Sequence, residues 1–300
     1  MSRKKLITFS AFFILFFLFL SIYLFSKPRM RCMLSKIGIP YLSLFISIKE
    51  SENPENIKAG YRSWVAETKK RFSNVVIDLV KFNSNHTNPK SRDAEQIISS
   101  ISSFLQSDLS WLLIISDTTY IHYPRLGSLF SCFTPSDPII KPYFFGHINW
   151  VNPRMFLIFE NCGWLLSRKA ALDIYVNLKN ALNEYLDGPY NEIDYFAWYL
   201  INYLVINIHK IDSPYFCGFP IHRKDVPSNF KKYPICQQGY FDRKKISELV
   251  FFNSWYGDPL IYHDPNRFLD QIPDNAYIND GNVCLLRSDH DDDYDQDDFD

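Results

Sequence analysis

The stretch Trp111 to Tyr120, W-L-L-I-I-S-D-T-T-Y, places a carboxylate where chemistry is often done. An apolar run of five stops abruptly on Ser116, Asp117, Thr118 and Thr119. A buried parallel-type strand that ends in a polar turn has this pattern. Open α/β sheets bind ligands at that end of their strands, which makes Asp117 a candidate binding carboxylate. The alternative is that Asp117 only caps the turn after it. The tail from Asp289 to Asp300 carries acids at relative positions 1, 3, 5, 7, 9 and 12, the spacing of a calcium loop. Position 6, where such a loop needs glycine, is Tyr294, and no helical pattern flanks the segment. It reads as a solvated, disordered tail with at most weak Ca²⁺ buffering.

The elements that must position Asp117 follow from periodicity. Tyr41 to Ile48 is strand-like, and Pro54 to Phe72 reads as a helix with Pro54 in its first turn and Ala59, Trp64 and Val65 facing inward. Asn74 to Val80 is a second strand. After a polar loop, Asn83 to Ser91, residues Ile97, Ile98, Ile101, Phe104 and Leu105 form one face of a second helix. With the Trp111 strand the order is β-α-β-α-β, the pattern of a mostly parallel sheet flanked by helices. A stretch punctuated by Gly, Pro and Ser follows from Tyr123 to Pro142, then strands at 142–147 and 155–160. Ser167 is the N-cap of a helix reaching Leu182. Glu192 to Leu204 is a second, aromatic helix with Phe196, Leu200 and Leu204 inward and Tyr195, Trp198 and Tyr199 pointing elsewhere. Val205 to His209 is a strand, and 213–238 is loop-rich.

Leu6 to Phe25 is an uncharged run of twenty residues, long enough at ~1.5 Å per residue to cross a bilayer core of ~30 Å. It exceeds the apolar region of a signal peptide and no small-x-small site follows it, so it reads as an uncleaved transmembrane anchor. The expected organisation is a cytoplasmic tail at 1–5, the anchor at 6–25, a stem at 26–40, one α/β domain at 41–288 and the acidic tail at 289–300. Basic residues on both sides of the anchor leave the orientation open. The six cysteines all lie beyond it, and Asn85-His86-Thr87 is a glycosylation sequon, so a lumenal body is expected. Cys217 with Cys236 is the nearest disulfide guess; buried thiols are the alternative. The formal net charge of -1 conceals eight aspartates in 289–300, so the rest of the chain carries +7. Six of those positives flank the anchor, the body is nearly neutral, and nothing points to a nucleic-acid partner.

Taken in order, these blocks resemble the fringe-type inverting glycosyltransferases, and within them the core 1 β1,3-galactosyltransferases and the homologous chaperone Cosmc. The blocks are the anchor and stem, Trp64 in the first helix, Trp111 to Tyr120 opposite W-F-x-x-x-D-D-D-T-Y, and Tyr143 to His147 opposite Y-x-G-x. Cys162 to Ser167 follows opposite A-G-Y-V-L-S, then Glu192 to Leu200 opposite E-D-V-x-L-G-x-C-L, and Tyr262-His263 opposite F-H-Y. The resemblance covers residues 40 to 270 and implies a single GT-A-like glycosyltransferase domain. It implies a type II membrane protein of the Golgi or endoplasmic reticulum, whose partners are the membrane and a related galactosyltransferase or a glycoprotein acceptor.

The departures from the family pattern matter as much as the matches. The acidic triplet that would hold a divalent metal on a sugar nucleotide is Ser116-Asp117-Thr118 here, two hydroxyls and one carboxylate. The glycine pair before A-G-Y-V-L-S is Glu160-Asn161, whose side chains are expected to fill that space. By resemblance, Glu192 or Asp194 is the candidate catalytic base; as residues they are equally N-terminal carboxylates favoured by the helix dipole. His263 matches a metal or diphosphate contact, and a lone histidine is more often structural. Trp164 is a sugar platform or a core residue. The cofactor expectation is therefore none or weak Mn²⁺, with a UDP-sugar only if the chain is active. Two functions are expected: a non-catalytic, Cosmc-like partner, or an active transferase from UDP-galactose to O-linked GalNAc.

Overall fold

The computed structural model describes residues 42–51, 54–81, 88–130, 133–152, 155–202, 208–213 and 215–217. It also describes four short strands, at 244–245, 251–253, 276–279 and 282–285. The anchor, the stem, the Asn85 sequon, Cys236, His263 and the acidic tail lie outside the described residues. Among those that are described, no helix is long and apolar enough to cross a membrane.

The expected β-α-β-α-β opening is present. Strand β1 (Leu44–Lys49) leads into α1 (Pro54–Gly60), a five-residue π turn (Tyr61–Val65) and α2 (Ala66–Arg71). The wider π turn carries Trp64 and Val65 inward together. Strand β2 (Val75–Val80), α3 (Pro89–Leu105) and β3 (Trp111–Ser116) follow. Asn88 caps α3 by accepting from the Lys90 N–H, so the helix starts inside the segment expected to be loop. Next come β4 (Thr119–Ile121), α4 (Tyr123–Phe130) and α5 (Asp137–Ile140). These two helices occupy a stretch that its Gly, Pro and Ser content had marked as irregular.

Strand β5 (Tyr143–Gly146) is followed by a hairpin of β6 (Ile148–Asn152) and β7 (Met155–Ile158), then by a 3-10 turn at Glu160–Cys162 and β8 (Trp164–Ser167). Helix α6 (Arg168–Asp187) runs five residues past the expected end. A second 3-10 turn (Ile193–Tyr195) leads into α7 (Phe196–Asn202), and the expected strand at 205–209 lies further on as β9 (His209–Asp212). The short strands are β10 (Phe216–Cys217), β11 (Lys244–Lys245), β12 (Phe251–Asn253), β13 (Ala276–Asn279) and β14 (Asn282–Leu285).

The central sheet has the order β2-β1-β3-β8-β5-β9. β1 pairs in parallel with β2 and β3, and β5 with β9, while β8 is antiparallel to both its neighbours. Five of the six strands thus run the same way, a mixed α/β architecture with a mostly parallel sheet. Side-chain alternation sorts the core into two layers. Leu44, Ile46, Ile48, Leu113 and Ile115 meet Trp64, Val65, Leu126 and Phe130 on one face. Phe45, Leu112, Ile114 and Trp164 meet Ile97, Phe104, Ile174 and Phe196 of α3, α6 and α7 on the other. Apart from the sheet, β12 is flanked by β10 and β4, with Phe252 opposite Tyr120.

Candidate functional site

Because β1 is followed by β2 on one side and β3 lies on its other side, the direction of winding reverses between β1 and β3. In an open α/β sheet that reversal leaves a crevice at the C-terminal ends of the two strands. Lys49 ends β1 opposite Ser116, which ends β3.

Asp117 follows β3 and is directed to the α1 side. Its Oδ2 accepts from the Ser51 N–H at 2.9 Å and the Ser51 hydroxyl at 2.5 Å, and its Oδ1 faces the Asn56 amide at 3.4 Å. Its own N–H donates to the Lys49 carbonyl. Burial pushes its carboxyl above the usual carboxylate range, against the hydrogen bonds from Ser51 and Asn56 and the charge of Lys49. On either side of it, the Ser116 and Thr118 hydroxyls lie 2.8 Å apart and bond to each other, and Ser116 also meets Thr119 at 3.1 Å. Thr119 donates onward to the Asn161 carbonyl at 2.8 Å.

On the α3 and α7 side, Lys49 and Glu160 form an ion pair of 2.6 Å with both side chains more than nine-tenths buried. The Glu160 N–H donates to Asp194 Oδ1 at 2.7 Å. Burial, reinforced by the neighbouring carboxylates of Glu160 and Glu192 and opposed by that same hydrogen bond and by Lys49, raises the Asp194 carboxyl to about 7. Lys49 therefore acts on carboxylates to both sides of the sheet, Asp117 and Asp194. Nothing in the sequence marked it, since a lysine closing a strand reads as a solvated end.

The structure separates the site residues expected from sequence. Asp117 and Asp194 come to the same crevice. Glu192 sits near Asp194 but at the surface: it is exposed, one residue before the 3-10 turn, without a side-chain capping bond. Glu160 fills the space expected of it, whereas the Asn161 side chain is exposed. Trp164 is corrected to a core residue. It is fully buried, its indole N–H donates to the Ile158 carbonyl at 2.9 Å and its ring meets Phe144 edge-on, so no face is left for a sugar. Tyr199 is likewise buried, against Tyr185, and Trp198 is half-buried on the same core. Tyr199 is thus a core residue, whereas Trp198, expected with it to point away from the core, is only partly covered.

A divalent metal, implied by the resemblance, meets a poor donor set. Among the described residues no cluster of three or more His, Cys, Asp and Glu side chains is placed to hold one. The carboxylates of the crevice are already engaged, Asp117 with Ser51, Glu160 with Lys49 and Asp194 with the Glu160 N–H; the two hydroxyls are bonded to each other, and the lysine ammonium opposes a second cation. These residues do not fit the metal.

No family model matches the chain, and no curated protein matches it. Among solved structures, a crystal structure of a glycosyltransferase involved in the glycosylation of the major capsid of PBCV-1 is similar over 76% of this chain and 99% of that chain. The identity is 11% and the TM-score 0.46. A likeness of that size carries neither the fold, which rests on the strand order and register above, nor any activity.

Proposed function

We propose that this chain is a membrane-anchored, GT-A-like member of the core 1 β1,3-galactosyltransferase branch that acts in mucin-type O-glycosylation without catalysing transfer, as a Cosmc-like partner of a related galactosyltransferase. The observation that carries this reading is the buried Lys49–Glu160 pair at the switch crevice. A sugar diphosphate needs open space and a neutralising cation there. With Asp117 tied to Ser51 and Asn56, the crevice instead satisfies its polar groups internally. Leu6 to Phe25 as a type II anchor, with the body in the lumen of the endoplasmic reticulum or Golgi, belongs to the same reading. The Asn85 sequon and the cysteines beyond the anchor support it.

One observation favours a second reading. A carboxyl titrating at about 7, as Asp194 does, is suited to accept the proton of an attacking hydroxyl. Asp194 would then be the base of an inverting transfer from UDP-galactose to O-linked GalNAc. The full-length protein in detergent, titrated calorimetrically with UDP-galactose with and without Mn²⁺ and assayed for transfer, separates the two. The first reading expects no Mn²⁺-dependent binding, no transfer, and recovery of a co-expressed core 1 galactosyltransferase with the chain. Transfer that Asp194→Asn abolishes would establish the second.

A further inference from the structure

We propose that the outer face of α5 and the first turns of α6 is a membrane-contact surface, which seats the body on a lipid interface with its crevice turned away. Five large apolar side chains are exposed on this pair of packed helices: Ile139 and Ile140 on α5, and Leu172, Tyr175 and Val176 on α6. Val176 is 80% exposed and Ile140 66%, although the opposite face of α6, from Ala170 to Tyr185, is fully engaged in the core. Leu172, Tyr175, Val176 and Lys179 recur at i, i+3, i+4 and i+7, so they form one outward stripe.

What covers the stripe is indicated by where the rest of the chain arrives. The Ser110 N–H donates to Ser43 Oγ at 3.0 Å, the Arg168 N–H to the Ser110 carbonyl at 2.9 Å, and Ser167 Oγ to the Lys141 carbonyl at 2.7 Å. The start of the described chain, the end of α5 and the start of α6 are therefore stitched together at the N-terminal ends of β1 and β3. Immediately before Leu42 come sixteen residues, 26–41, and the uncharged run Leu6 to Phe25. At ~3.5 Å per residue the connection reaches at most ~56 Å, so it confines the body near a bilayer without orienting it. The apolar stripe lies at the end of the sheet that the connection enters.

The surface suits a zwitterionic headgroup region rather than an anionic one. Two of its lysines are compensated, Lys141 by Asp137 at 3.1 Å and Lys169 by Asp173 at 2.5 Å, and Lys179 at the end of the stripe can keep its ammonium in the headgroup region, while the aliphatic side chains and the Tyr175 ring have the amphipathic character of an interfacial helix. Asp117 and Lys49 lie at the opposite, C-terminal ends of β1 and β3, a strand length of roughly 20 Å from the end that the connection enters. The chain's client or acceptor would accordingly come from the aqueous side.

The proposal rests on the reading of Leu6 to Phe25 as an anchor, and the test keeps the two apart. Full-length protein is reconstituted into phosphatidylcholine vesicles carrying a trace of a diazirine-labelled phosphatidylcholine, irradiated, and the labelled peptides are mapped by mass spectrometry. The expected result is label on residues 6–25 and also on α5 and the first half of α6. Leu172→Glu with Val176→Glu should lower the α6 label about tenfold and leave that on 6–25 unchanged. Label on 6–25 alone overturns the docking and leaves the anchor standing. No lipid label on 6–25 removes the anchor and the proposal with it. Protein-to-protein cross-links through α6 in place of lipid label assign the stripe to a second copy and overturn the proposal as well.

Discussion

Replacing Lys49 with methionine would leave the Glu160 carboxylate buried and unpaired, because its only ammonium partner on the described chain comes from the end of β1. Breaking a buried pair from one side costs ~3–5 kcal/mol, whereas replacing both partners by apolar residues of similar volume is often near neutral. Urea melts should therefore find Lys49→Met severely destabilised and Lys49→Met with Glu160→Leu much closer to wild type. Equal losses in the single and double variants would show that the unpaired Glu160 charge is not what destabilises Lys49→Met. Gly163 makes a different residue-scale demand. It turns the chain from the 3-10 turn into β8 at φ +102°, and a Cβ there would meet Ile115 Cγ2 at 2.8 Å. Gly163→Ala should lower stability by ~1–3 kcal/mol, measured in the same melts.

At the scale of elements, the junction of β8 with α6 turns on Ser167. Its hydroxyl donates to the Lys141 carbonyl and accepts from the Tyr143 N–H at 2.8 Å and the Ala170 N–H at 3.2 Å, tying the start of β5 to the start of the helix. Ser167→Ala should cost ~1–2 kcal/mol and raise amide exchange in the first turn of α6. That cap was legible because Ser167 stands directly before a helical period, and β1, β2 and β3 were legible because their apolar runs are bounded by polar turns. β8 was not: four residues, Trp164 to Ser167, all inward, have no alternation to show, and only pairing to β3 and β5 makes them a strand. Helices α4 and α5 were hidden by Pro124, Gly127 and Pro138, which local propensity reads as breaks. Of the crevice, Asp117 was visible as the end of a strand and Asp194 only through resemblance. Lys49 and Glu160 gain their meaning from a contact between distant segments, which no local window contains.

For the molecule as a whole, two groups give opposing pH dependence. In the folded chain Asp194 holds its proton up to about 7, against ~4 in an unfolded chain. Between those values the folded state binds more protons, so stability falls as pH rises through the window and levels off above it. His122 runs the other way. Burial and then the charge of Arg125 depress it to about 4, so it stays neutral where an unfolded histidine is charged. The stability it contributes is present above ~6.5 and is lost as pH falls toward 4. Thermal melts from pH 4 to 7.5 should find that Asp194→Asn gains on wild type most at the alkaline end, and that His122→Gln loses least at the acid end. A difference from wild type that is constant with pH would return the group in question to ordinary titration.

The place of β12 has a further bearing, on the order in which a nascent chain can finish its site. Phe251 to Asn253 lie between β10 and β4, with Asn253 opposite Thr119, whose hydroxyl is bonded to the Asn161 carbonyl beside the Asp117 turn. The central sheet can pair once the ribosome has delivered Asp212, but the strand that buttresses this turn emerges about forty residues later. Until then β4 and β10 are open edges able to pair with another chain. A chain stopped at Val250 should keep the far-ultraviolet signature of the central sheet and helices yet self-associate by light scattering. A monodisperse truncated chain would mean that β12 is dispensable to the edges it covers. Synthesis itself thus leaves an interval in which the chain depends on its surroundings for solubility.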